Sequence, residues 1–198
     1  MTLARLFRTV MLAALGSMFV YVPACSSSTD TGMSSNPLTA GVVRQGSVTD
    51  AALIQMVSTE ADDWGWAGGV FDTPAADPTT TSAATISASE PFTFTWHADP
   101  TDSSSDAGAG NTPVGSGLSG MAYLLVFSTP GNAKLLRVFT TEPTYTPDAA
   151  AWSSLLAAAA AESTPLNVTL TTATFASDVL NPEGGPHKGQ TLVLTIAN

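Results

Sequence analysis

A mostly β fold, two sheets packed as a sandwich with one short helix, is what this 198-residue sequence predicts. Three observations predict it. Large apolar residues alternate with Thr, Ser or Asn in several short runs, the period-two pattern of strands with one buried face. Turn-forming Gly, Pro, Asn and Asp recur roughly every ten residues, a spacing that points to a sandwich. A single stretch, near residue 150, carries apolar side chains at helical spacing and a capping residue in front of them.

Taken in order, Arg5 and Arg8 precede the uncharged apolar run Val10–Val22, and small residues follow. That is the layout of an export signal over residues 1–24, since the apolar run is short for a membrane span. Residues 25–46 are Ser, Thr, Gly, Asn and Pro with few large apolar side chains, too few to offset the entropy of ordering a chain, and read as a tether. The folded domain is expected over 47–198. Its first run, Ser47–Glu60, is too short to decide between strand and helix. Asp62–Phe71 is aromatic and glycine-rich, and the Pro/Thr/Ala stretch Asp72–Ala84 reads as loop.

The clearest strand lies in Glu90–Trp96, where Phe92, Phe94 and Trp96 alternate with Thr93 and Thr95. Asp99–Gly120 is a long, polar, acidic loop. Met121–Ser128 and Leu135–Thr141 are β-rich runs joined by Thr129–Ala133, whose Pro130, Gly131 and Asn132 are turn residues, so they form a hairpin. Asp148 caps an Ala-rich helix reaching Ala161, with Trp152, Leu155, Leu156 and Ala159 on its apolar side. Two strands follow, one on Leu166, Val168 and Leu170, the other on Leu192, Leu194 and Ile196, with the turn-rich Asn181–Gly189 between them.

The junction Val22-Pro23-Ala24-Cys25, followed by Ser26, resembles the lipobox of bacterial lipoproteins. The resemblance implies a lipidated Cys25 as the first mature residue, a palmitate-type lipid anchor, and attachment to a bacterial membrane. Under the enterobacterial sorting habit of that family, the resemblance also implies that Ser26 rather than Asp after the cysteine favours the outer membrane or cell surface. The alternative is ordinary secretory cleavage after Ala24, which leaves Cys25 a free thiol. Lipidation is favoured because the only cysteine of the chain stands at the junction, where a reactive thiol would be a liability. Two or three acyl chains, at ~0.8 kcal/mol per buried CH₂, would hold the protein durably.

The strand Phe92–Trp96, then Ala122–Phe127, then Leu166–Leu170, resembles the B, C and F strands of a fibronectin type III or related immunoglobulin-like domain over about residues 84–198. The resemblance implies an immunoglobulin-like sandwich with Trp96 and Tyr123 in its core. It implies little about function, because such sandwiches serve binding, spacing and adhesion alike.

Composition excludes some partners. The chain carries 6 Lys+Arg against 16 Asp+Glu, a net charge of -10. Beyond the leader the cations are Arg44, Lys134, Arg137 and Lys188, too few to neutralise a run of phosphates, so nucleic acid is not expected as a partner. One cysteine permits no internal disulfide and no thiolate metal cluster.

Few constellations carry chemistry. Gly115-Ser116-Gly117-Leu118-Ser119-Gly120 matches G-x-G-x-x-G in letters, but dinucleotide binding needs a strand before it and a helix after it. Here an acidic loop precedes and a β-rich run follows, so it reads as a loop end. Asp99, Asp102 and Asp106 offer oxygen ligands for calcium, yet their spacing is not that of an EF-hand, and the solvated-loop reading prevails. His97 follows the aromatic stripe and so points to the opposite, solvent face. No G-x-S-x-G elbow and no HExxH is present. Trp64, Trp66 and Phe71 among glycines offer an aromatic platform for a glycan or a partner protein, or else one or both Trp cover the open end of the core.

The expectation is therefore a non-catalytic cell-envelope lipoprotein without a cofactor, attached through Cys25 and acting as a binding or structural module towards an envelope protein or glycan. The alternatives are a secreted or anchored enzyme, or a calcium-stabilised adhesion domain, with its site in the loop 99–120.

Overall fold

The computed structural model describes residues 36–63, 68–75, 83–98 and 117–197. In chain order its elements are β1 (Val42–Gln45), α1 (Asp50–Ser58), β2 (Asp62–Asp63), β3 (Val70–Thr73), β4 (Ala83–Ser87), β5 (Phe94–His97) and β6 (Gly120–Thr129). They continue with β7 (Asn132–Thr140), β8 (Thr144–Tyr145), α2 (Ala149–Glu162), β9 (Leu166–Ala176), β10 (Val179–Leu180) and β11 (His187–Ala197). The protein is mostly β. Among the described residues one sheet has eight strands along the path β1-β7-β6-β9-β11-β2, with β4 also on β11 and β10 on β9. The other has three, in the order β3-β5-β8.

The centre of the large sheet, β7-β6-β9-β11, is antiparallel throughout. Its edges are closed by parallel pairs, β1 on β7 and both β2 and β4 on β11. Alternation decides which side chains meet which layer. Tyr123, Leu125 and Phe127 of β6 enter one core cluster with Val138 of β7, Leu166, Val168 and Leu170 of β9, and Leu192 and Leu194 of β11. The facing layer contributes Phe71, Phe94, Trp96 and Tyr145 from the three-stranded sheet, and Trp152, Leu155 and Ala159 from α2. The two sheets thus face each other across a common core, the arrangement of a β-sandwich, with α2 filling part of the second layer.

The alternate residues of the same strands, Ala122 and Leu124 of β6, Phe139 of β7, and Ala173 and Phe175 of β9, form a second cluster on the outer face. Ala52, Leu53 and Met56 of α1 cover it. This is why Ala122–Leu125 are buried without interruption, apolar on both faces. The run Ser47–Glu60 is therefore a helix, started by Thr49, whose hydroxyl accepts from the Ala52 amide at 3.2 Å.

Several expectations are met. β5 buries Phe94 and Trp96, β6 and β7 form the hairpin across Pro130 and Gly131, and Asp148 Oδ1 caps α2 on the Ala151 amide at 2.7 Å. Trp96 and Tyr123 are both buried, their rings 5.6 Å apart and edge-to-face. At its far end α2 stops on Ser163 in the left-handed region, φ 52°. Glu162 there accepts from the Thr129 hydroxyl at 2.7 Å and the Gly131 amide at 2.9 Å, tying the helix to the hairpin turn.

Other expectations are corrected. Among the described residues there are two helices rather than one. Val42–Gln45, inside the stretch whose composition reads as tether, is a strand, because the open edge of β7 supplies the backbone partners that its own few apolar side chains would not secure. The stretch Asp72–Ala84 has strand at both ends, and Ala83–Ser87 pairs with β11 over five residues. β11 also begins within the turn-rich stretch, at His187.

Candidate functional site

In the small sheet, β5 turns Phe94 and Trp96 inward and leaves His97 outward. β3 pairs antiparallel with it, Phe71 opposite Trp96, and an irregularity after Phe71 brings Asp72 beside the histidine. Asp72 Oδ1 lies 2.7 Å from His97 Nδ1, both side chains about half exposed, at 49% and 51%. A carboxylate on one ring nitrogen fixes a histidine's orientation, which is half of a base-and-nucleophile arrangement. No described hydroxyl or thiol hydrogen-bonds this ring. As an exposed pair it contributes at most about 1 kcal/mol. His97 faces solvent as its place in the strand predicts. The sequence reading missed Asp72, whose approach depends on the irregular pairing of β3.

His187 is buried at the start of β11 opposite Thr172, 4% exposed. Among the described residues no three His, Cys, Asp or Glu side chains are grouped as metal ligands. The described part of the glycine-rich stretch, Gly117–Gly120, leads into β6 at Gly120 and not into a helix. The geometry that pyrophosphate binding requires is therefore not built there. Instead the Leu118 amide donates to Asp178 Oδ1 at 2.6 Å, and the Leu118 carbonyl accepts from the Asp178 amide at 2.8 Å. Cys25, Trp64, Trp66, Asp99, Asp102 and Asp106 lie outside the described residues.

Two concavities stand out among the described residues. The first, about 390 Å³, opens where Val43, Arg44 and Gln45 of β1 face Thr144, Tyr145, Thr146 and Asp148. Arg44 reaches Asp50 in the first turn of α1, and its Nε is buried without a hydrogen-bond partner among the described residues. Burial, and then the charge of Asp148, push the Tyr145 hydroxyl up to about 12. Its ordinary value of 10.0 holds in the unfolded chain, so Tyr145 supports the fold in full below pH 10.0 and that support is lost towards pH 12. Between those values the wild type should lose ~1–2 kcal/mol, discounted for partial solvent screening, that Tyr145→Phe does not lose, read as a fall in the wild type's denaturation midpoint that the variant does not share.

The second concavity, about 590 Å³, is a groove between the C-terminal half of α2 and the end of β11. Leu156, Ala157 and Ala160 form its helix wall, Val193 and Ile196 its strand side, and Ser163, Thr164 and Thr195 bring hydroxyl groups. Among the described residues no ionisable side chain lines it. The sequence reading took these alanines as helix formers only. The overlooked signal is the spacing of Ala157, Ala160 and Ser163, three apart, which sets small side chains along one side of the helix. Comparison with protein families, with characterised proteins and with solved structures returns no match.

Proposed function

We propose that the protein is a lipoprotein of a bacterial envelope, anchored through Cys25, whose immunoglobulin-like domain works as a non-catalytic binding or structural module at the membrane surface towards an envelope protein or glycan. The observation that carries this reading is the place of the chain's single cysteine, between the apolar leader and the compact unit Ser34–Asn198. Acyl chains on that residue would attach the unit without asking any element of the fold to enter the bilayer; among the described residues no helix is long and apolar enough to cross one.

The immunoglobulin-like type is supported by strand order. With β5, β6 and β9 as strands B, C and F, the small sheet β3-β5-β8 reads A-B-E and the antiparallel centre of the large sheet, β11-β9-β6-β7, reads G-F-C-C′. The helix α2 stands between E and F, and β1 with α1 is added on the C′ side and outer face.

The test is the intact mass of the protein recovered from the membrane fraction, beside that of Cys25→Ser. A mass increase of two or three acyl chains, lost in the variant together with membrane association, is the expected result. An unmodified chain in the soluble fraction overturns the anchor.

A further inference from the structure

We infer that the groove between α2 and β11 is a binding site for one uncharged, predominantly apolar small molecule. The inference names a ligand class for the binding module proposed above and rests on that reading only in treating the domain as non-catalytic. Three observations carry it.

The first is size and shape. A concavity of about 590 Å³ falls within the roughly 300–1,000 Å³ range of small-ligand sites. It exists because α2 presents Ala157 and Ala160 where larger side chains would close the space, leaving Leu156, Val193 and Ile196 only half-buried. These side chains gain burial when an apolar body fills the groove.

The second is charge. Among the described residues the lining holds no Asp, Glu, Lys, Arg or His, and three of the chain's few cations are engaged elsewhere. Arg44 is on Asp50, Arg137 donates to the carbonyls of Leu38 and Ala40, and Lys188 is beside Asp63. An anion entering the groove would meet no partner and the field of a chain of net charge -10. A cation would be desolvated with no carboxylate to receive it. A neutral molecule escapes both penalties, and the exposed Ser163 and Thr195 hydroxyls at the groove can satisfy one polar group on it.

The third concerns the surroundings. The exposed large apolar side chains of the described surface are Leu38, Val43 and Val179, none of which lines the groove. Among the described residues the apolar lining is therefore not continued by a large exposed apolar side chain, whereas an interface with a second copy or a protein partner would need it to extend beyond.

The test is a fluorescence titration of the full chain with N-phenylnaphthylamine, a neutral dye, and with anilinonaphthalene sulfonate, which adds a fixed negative charge to the same rings. Saturable binding of the neutral dye is expected, with the sulfonate at least about ten-fold weaker. Ala160→Leu fills the groove at an exposed helix position and should weaken the neutral dye about ten-fold or more. Ser153→Leu adds the same side chain to the same helix outside the groove and should leave binding unchanged. Equal binding of the two dyes, indifference to Ala160→Leu, or a dimer that Ala160→Leu dissociates would each overturn the inference. A lost dye site beside an intact acylated mass removes the groove and leaves the anchor standing.

Discussion

Phe127→Ala should cost about 3–5 kcal/mol of folding stability. Phe127 is fully buried on the inner face of β6, with its ring 5.4 Å from Phe94 in edge-to-face contact and 6.3 Å from Tyr145. Leu136 and Val168 flank it on the neighbouring strands. It is thus the point where both strands of the central hairpin, β9 and the facing sheet meet. Removing the ring opens a cavity whose lining cannot collapse, because each wall belongs to a different strand. Domains of this size hold roughly 5–15 kcal/mol in all, so the variant should lose a large part of its margin. Urea denaturation measures it, with Val179→Ala as a control that removes an exposed side chain and should stay within about 0.5 kcal/mol of wild type. A midpoint for Phe127→Ala equal to that of the control would contradict the packing described for the core.

Asp178→Ala should cost about 2–3 kcal/mol, with Asp178→Asn costing clearly less. β9 and β10 are joined by Ser177 and Asp178, both at positive φ, 52° and 68°, with Ala176 opposite Val179. Such a two-residue turn ordinarily takes Asn and Gly, so this one is held from outside. One carboxylate oxygen of Asp178 accepts from the Thr49 hydroxyl at 2.5 Å and from the Leu118 amide at 2.6 Å. Gln55 of α1 donates to the Asp178 carbonyl and accepts from the Leu180 amide at 2.9 Å. The turn, the start of α1 and the entrance to β6 are therefore one hydrogen-bonded unit. Alanine deletes the acceptor and is poorly suited to the left-handed region, whereas asparagine keeps an oxygen and tolerates it. Amide exchange should quicken at Leu118 and along α1 in Asp178→Ala, while the inner faces of β9 and β11 keep their protection. Uniform quickening over the whole domain would show that the unit is not separable.

What the sequence made legible follows from how local each signal is. The aromatic stripe of β5, the Pro130–Gly131 turn and the Asp148 cap each announce themselves within a few residues, and all three are in place. β4 was not legible, since Ala83–Ser87 carries one large apolar residue and is a strand only because β11 offers its edge. β1 is the same case against β7. The choice of helix for α1 depended on the second, outer apolar face of the large sheet, which becomes visible only once β6, β7 and β9 are aligned. The Asp72–His97 pair and the groove beside α2 required the irregular pairing of β3 and the distance between two elements, and neither is written in spacing along the chain.

The parallel edges of the large sheet bear on the order in which the chain can fold. β1, β2 and β4 all come early in the sequence, and each is hydrogen-bonded to a strand made much later, β7 for the first and β11 for the other two. During synthesis these early segments have nothing to pair with. β11 receives β9 on one side and β2 and β4 on the other, so residues 187–197 act as the closing piece of a puzzle whose other parts wait for it. Long-range pairing of this kind places folding on the millisecond-to-second scale rather than the microsecond scale.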